Sequence, residues 1–516
     1  MNGRIKKILL LVLAAALIFG AGQVQNSLNR DRDSLGLTRT AVLENAPPVL
    51  AFTTVALGGF RGLISNFLWI RANDLQQDDK FFEAAQLADW ITKLEPTFTQ
   101  VWLFQAWNMA YNISVKFKEN APGVYTDRWR WLERGIELLR DDGLRYNPNS
   151  LLIYRELGWF FQHKMGQNLD DANMYYKAQW ADEMKDFFGA NGTNFDRLLR
   201  PQTAGDFKQL QILTNQYKLD PVFAKSVDEK YGPFDWRLPE AHAIYWGARG
   251  LAAAKENPDK VKQDDLITLR RIIYQSLLQA FHHGRIESDA FGRPYLGPNL
   301  DLVGTVNQAY LDFYADEKDQ GQRDGILKAH RNFLRDAVYF LYEANRIGEA
   351  QKWFNYLGEK YPDKPIIENQ PDSLPKTLTL DEYAVAVVQI DIGETSQERV
   401  TAAIEGLLAR AYFALAGGQD DRYENFRRLA QRVYDRYTAK TSAAKGDVRI
   451  PLMPFNDMNR TVVKQLLDPQ RGLPYAARAV LRTQLGLPAE AVELPPTNNV
   501  PAVAAPATTA PATSNP

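Results

Sequence analysis

Apolar residues return at steps of three and four along nearly the whole chain, and that spacing is the mark of helices with one buried face. Trp129, Leu132, Ile136 and Leu139 follow it, as do Leu266, Leu269, Ile273, Leu277 and Phe281, with Gly284 as a stop signal. Another helix is expected over Val400 to Leu415, ending at Gly417-Gly418. Its partner runs through Tyr423, Phe426, Ala430, Val433 and Tyr437. Stretches of alternating polarity are scarce. EYAVAVVQIDI, Glu382 to Ile392, is the one tempting strand, and it reads equally well as helix. An all-α fold follows from this pattern.

The chain has 516 residues, 45% of them apolar and 24% charged, which suits a globular protein of roughly three domains. Its 61 basic and 62 acidic side chains nearly cancel, so no global field favours nucleic acid, and none is expected as a partner. There is no cysteine. That excludes disulfides, thiolate zinc sites, a thiol nucleophile and a lipoprotein anchor.

Arg4, Lys6 and Lys7 precede the apolar run Ile8 to Gly22, the pattern of an export signal. Residues 1–22 are therefore read as a signal-anchor (transmembrane) helix or a cleaved signal peptide. The excess of positive charge before the run places Met1 to Lys7 in the cytoplasm. The expected address is a bacterial inner membrane, single-pass, with the bulk of the chain periplasmic. If the signal is cleaved, the chain is secreted to the periplasm. A polar linker, 23–46, ends at Pro47-Pro48. Val49 to Ile70 is apolar but broken by Arg61, and it is read as a helix that later helices bury, with a second membrane span as the alternative. Residues 493–516 are rich in Pro, Ala and Thr and form a disordered tail.

The stretch LLIYRELGWFFQHKMGQNLDDANMYYKAQWA, Leu151 to Ala181, spaces Tyr154, Leu157, Gly158 and Phe161 at three, one and three. In this arrangement the small residue admits the second helix and the large ones fill the space around it. That second helix is expected through Ala172, Tyr176 and Trp180. The pattern resembles the first helix of a tetratricopeptide repeat, aromatic-x2-L-G-x2-Y. Over Ser65 to Val101, Leu68, Ala72, Leu75, Ala84, Ala88, Ile91 and Pro96 fit the same frame. Trp102, Ala106 and Met109 then open the next repeat, with an insertion around KENAPGVYTD. Near residue 350 a second helix matches through Ala350, Phe354, Leu357 and Pro362. Pro96, Pro148 and Pro362 each stand where a repeat ends, since proline cannot continue a helix.

The resemblance covers about half the chain. It divides the chain into repeats over 47–183, an irregular insertion over 184–239, helical repeats over 240–365 and a C-terminal helical region over 366–492. The architecture it implies is a solenoid of antiparallel helix pairs with insertions. The segments ENAPPVLAFTTVALGGFRG, LADWITKLEP and WNMAYNISV also resemble a group of membrane-anchored bacterial envelope proteins, which carries no activity over to this chain.

In tetratricopeptide proteins the first helices line a groove for extended peptides or partner helices. The resemblance transfers the groove positions to Trp69 and Asn73, to Leu103 and Trp107, and to Arg155, Trp159 and His163. Trp and Arg dominate binding hot spots. The competing reading is that neighbouring insertions cover the rings and make them core. No GxSxG, HExxH, Walker or GxGxxG motif is present. His282-His283 lies at an expected helix end, where it complements the terminal dipole better than it could bind metal. Glu287-Ser288 superficially resembles the catalytic E-S of lytic transglycosylases, but FGRPYLGPNLDLVG replaces the segment that should follow. A lone carboxylate has no reason to acquire the raised pKa of a general acid. The expected function is a non-catalytic interaction scaffold of the bacterial envelope, without cofactor or metal, binding an envelope protein or peptide. The alternatives are a peptidoglycan-cleaving transglycosylase and a glycan-binding solenoid.

Overall fold

A computed structural model describes residues 61–258, 261–288, 294–367, 370–392, 397–443 and 452–490, with scattered positions between 12 and 31. Helix makes up nearly all the regular structure, as the periodicity requires. Among the described residues no helix is long and apolar enough to cross a membrane. The expected signal-anchor, the linker, Val49 to Phe60 and the tail lie wholly or largely outside the described residues. Two compact units divide between Ile153 and Tyr154, within the segment 47–183 that the sequence treats as continuous.

The first unit begins with α1 (Arg61–Gln77) and α2 (Phe81–Leu94), which pack on each other. Asp79 makes the turn between them at φ 60°, and Lys80 N–H donates to the Leu75 carbonyl at 2.8 Å. Aspartate is one of the few residues that tolerates that left-handed backbone. The contact faces carry small side chains: Ala72 on α1, and Ala84 and Ala88 on α2, are fully buried. α3 (Thr99–Trp107) runs on into a π-helical turn, Asn108–Ile113, and α4 (Thr126–Glu137) into another, Leu138–Gly143. The Pro96 carbonyl accepts from both the Trp102 indole and the Asn147 amide at 2.9 Å. Those two bonds tie the end of α2 to the helices that follow. Ala106 is fully buried, and Trp102 stacks on Tyr146.

α5 (Leu151–Trp159), which belongs to the second unit from Tyr154 on, continues as a π-helical segment, Phe160–Gly166, and is followed by α6 (Asn173–Phe188). Segment 184–239 is largely helical. α7 (Ala204–Asn215) starts at a Thr203–Asp206 capping box, and α8 (Pro221–Tyr231) at Asp220 followed by Pro221. Phe188, Phe195 and Trp236 from this segment form one buried aromatic cluster. α9 (Pro239–Glu256) and α10 (Gln263–His283) pack together, followed by α11 (Val303–Asp316) and the pair α12 (Gln320–Glu343) and α13 (Ile347–Lys360). Ala350, Phe354 and Leu357 are buried on α13. α14 (Leu380–Ile392) precedes the packed pair α15 (Gln397–Ala416) and α16 (Asp420–Ala443), and α17 (Phe455–Leu466) and α18 (Tyr475–Gln484) close the unit.

Three features depart from, or resolve, the sequence expectations. Glu382 to Ile392 is helix, because Thr379 and Glu382 cap its start: each side chain accepts from the other's backbone N–H, at 3.2 and 2.8 Å. Among the described residues the all-α expectation meets one exception, an antiparallel hairpin of β1 (Arg285–Ser288) and β2 (Pro294–Gly297), with Ile286 opposite Leu296. The third concerns Gly158, expected to admit the second helix of its own pair, α6. A Cβ there would instead lie 3.1 Å from Ile272 and 3.3 Å from the Ala243 carbonyl. The missing side chain makes room for α9 and α10, helices far along the chain.

Candidate functional site

In the first unit the expected groove residues take different roles. Trp69 is half-buried, edge-on to Phe104 at 5.0 Å and tilted against Phe98 at 5.7 Å. Asn73 is half-buried and Leu103 buried. Trp107 is 39% exposed and lies flat on Tyr111 at 5.2 Å.

In the second unit Arg155, Trp159 and His163 follow at steps of four along one continuous helical rod, so they share a face. Trp159 and His163 stack with ring centroids 4.5 Å apart and planes 12° from parallel. Arg155 pairs with Glu156 at 3.2 Å. Burial, aided by the Lys164 charge, holds the His163 imidazole below its ordinary pKa. The stack is therefore tryptophan on neutral imidazole at physiological pH. All three side chains remain half-exposed, whereas Leu157, Phe160 and Met165 are completely buried on the other side of the rod.

Directly behind that face lies a set of buried polar groups that the sequence patterns above do not single out. Lys164, with a side chain 3% exposed, donates to Asp170 at 2.5 Å. Burial alone would raise the Asp170 pKa, but the Lys164 ammonium and the Ala172 N–H hold it below the ordinary range. Gln162, fully buried, donates to Gln275 of α10 at 2.9 Å. On α6, Lys177 donates to Asn168 at 3.0 Å and Asn173 at 3.3 Å, and burial lowers its pKa. Glu240, in the first turn of α9, is 2% exposed, and its Oε2 has no hydrogen-bond partner among the described residues. Burial drives its pKa up to about 7 against the pull of Lys177. His242 is fully buried among Phe161, Trp180 and Trp236, bonded through Nε2 to the Trp236 carbonyl, and burial pushes it down to about 4.

A signal for this cluster does exist in the sequence. Asn173, Lys177, Trp180 and Met184 share one helical stripe, which puts a lysine in a buried phase. Lysine and glutamate are almost never fully buried unless paired. The cluster orders the rod. Lys177 also borders a cleft of about 390 Å³ between α6 and the hairpin, with Ala178, Ala181, Leu238 and Leu296 in its wall. That lining is mainly apolar and suits binding.

His282 and His283 close α10 with their ring centroids 6.0 Å apart and planes 41° apart. Among the described residues no group of three His, Asp or Glu side chains is placed to hold a metal ion. Glu287 projects from β1, accepts from the Tyr295 hydroxyl and lies 3.6 Å from the Arg422 guanidinium. The chain matches no known family model and no curated protein.

Proposed function

We propose that the protein is a non-catalytic recognition scaffold of tetratricopeptide-like helix pairs, tethered by its N-terminal segment at a bacterial inner membrane with its bulk in the periplasm. The observation that carries this reading is the Arg155, Trp159 and His163 face, where a half-exposed ring stack sits beside a guanidinium on a rod locked from behind. Such a surface offers a peptide or a protein helix one flat apolar contact and directional donors, with little side-chain entropy left to lose. Packed consecutive helices and fully buried alanines at Ala84, Ala88 and Ala106 support the repeat architecture. Recognition proceeds by shape and stacking, and no covalent bond changes.

The test is Trp159→Ala in the full-length protein, crosslinked in the intact envelope and assayed for copurifying partners. Partner capture should fall by about tenfold or more while the thermal midpoint moves little. If instead the variant loses several kcal/mol of stability, as an enclosed aromatic would, the ring is core and the groove reading fails. Peptidoglycan digestion by the wild type that disappears in Glu287→Gln would favour the transglycosylase reading over the scaffold.

A further inference from the structure

Three consecutive helices of the second unit, α10, α11 and α12, each turn one face toward a cleft of about 460 Å³. Arg271, Tyr274, Gln275 and Leu278 of α10 line it at steps of three, one and three, and α11 and α12 contribute faces of the same spacing over 306–313 and 322–329. Its two ends differ. Arg271, with its guanidinium over the Phe313 ring at 5.9 Å, and Gln322, in the first turn of α12, mark one end. Toward the other end the walls are Leu278, Val306, Ala309 and Ala329. One turn further on, Phe281 of α10 and Phe333 of α12 are buried and meet edge to face at 5.1 Å, which closes that end. No Asp or Glu lines the cleft. Asp312 and Asp316 of α11 line a different one, where Asp316 pairs with Arg270 at 2.5 Å. Glu317 and Asp319, in the turn before α12, accept from backbone N–H groups at 2.9 Å. Among the described residues no carboxylate pairs with Arg271.

We propose that this cleft binds a long-chain monocarboxylate, a fatty acid, with its head on Arg271 and its chain directed toward Phe281 and Phe333. A guanidinium offers one carboxylate two parallel N–H donors, and the Gln322 amide adds another from the opposite wall. The volume is that of a small-ligand pocket, and an apolar chain gains with every methylene it buries there. A partner helix, about 10 Å across, would meet the closed end head-on. The chain's own apolar stretches outside the folded helices, 8–22, 45–60 and 494–516, hold no acidic side chain to set against Arg271. Gly325, on the α12 wall, has open space where a Cβ would stand, so the cleft can be filled from there without displacing a neighbour.

The full-length protein, in phosphatidylcholine vesicles, is irradiated with a palmitic acid analogue carrying a diazirine near the end of its chain, and the adducts are located by mass spectrometry. Labelling should concentrate at the apolar end of the cleft, within 306–310 or 326–333. Gly325→Leu fills the open space and removes a glycine from a helix interior, so labelling should fall about fivefold or more while the thermal midpoint holds or rises. Arg271→Gln, or the matching alcohol in place of the acid, should lower labelling about threefold or more. Arg271→Gln also carries the test should Gly325→Leu fail to fold. Adducts only outside the cleft, or equal labelling in Gly325→Leu, overturn the proposal. So does a wild type that takes no label while Gly325→Leu loses partner capture, which would give the cleft to a protein. Labelling indifferent to Arg271→Gln and to the alcohol overturns the role of the guanidinium. The cleft shares no residue with the Arg155, Trp159 and His163 face, so the two readings fail separately.

Discussion

Lys164 with Asp170, and Lys177 with Glu240, are two lysine–carboxylate sites in the same buried neighbourhood, and their carboxyls shift in opposite directions. Asp170 is bonded directly by the Lys164 ammonium and by a backbone N–H, and its pKa falls. Lys177 is instead engaged by two carboxamide oxygens, and Glu240, within its field but without a partner for Oε2, rises to about 7. Burial costs both carboxylates. The difference is a short charge-assisted hydrogen bond, present in one site and absent from the other. Nearness of opposite charge is therefore a poor guide to which buried carboxyl stays ionised.

The sharpest way to break this comparison is Lys164→Met, which leaves Asp170 enclosed with its charge uncompensated. The loss should be about 3–5 kcal/mol in urea unfolding, partly recovered by adding Asp170→Asn. A loss below about 1 kcal/mol would mean that the pair contributes little and the contrast with Glu240 is empty.

Next in size is a pH-dependent effect at Glu240. Its folded pKa lies above the unfolded value of 4.5, so the native state holds a proton that the unfolded chain releases between pH 4.5 and about 7. Stability contributed by the protonated group is complete below pH 4.5 and is lost as pH rises to about 7. His242, depressed to about 4, acts in the opposite sense, costing stability as pH falls below its unfolded value of 6.5. The wild-type curve alone mixes the two, whereas Glu240→Gln separates them. Relative to wild type, the variant should gain about 3 kcal/mol between pH 4.5 and pH 8. Equal unfolding midpoint differences at both pH values would contradict the raised carboxyl.

The smallest change is Asn168→Ala, which removes one acceptor from Lys177. It should cost about 1 kcal/mol, seen as a shift in urea midpoint without a change in slope. A neutral outcome would show that Asn173 alone satisfies the ammonium.

Much of the fold is legible without coordinates. Leu269, Ile273, Leu277 and Phe281 are buried on one helix, as their spacing implies, and so are Trp129, Leu132, Ile136 and Leu139. Thr379 and Glu382 would have decided the ambiguous Glu382–Ile392 stretch, because a capping box is a local signal. The hairpin was harder: RIES and PYLG are each four residues long, too short for alternation to stand out. Of the expected groove residues, sequence phase places Arg155, Trp159 and His163 on one face. It does not reveal that Trp69 is held between Phe98 and Phe104. Nor did it expose the buried charges, since a lysine at a helical step looks the same whether its stripe faces water or core.

By itself the sequence determined that the chain is mostly helical and which faces of several helices are buried, because backbone propensity and three-to-four spacing act among residues within a few positions of one another. Only the tertiary structure decided that Gly158 makes room for α9 and α10, that Gln162 meets Gln275 across 113 positions, and that Asp170 receives the Lys164 ammonium while Glu240 Oε2 receives no hydrogen bond among the described residues. Those outcomes depend on desolvation and hydrogen-bond geometry between distant segments, and neither exists until the chain has packed.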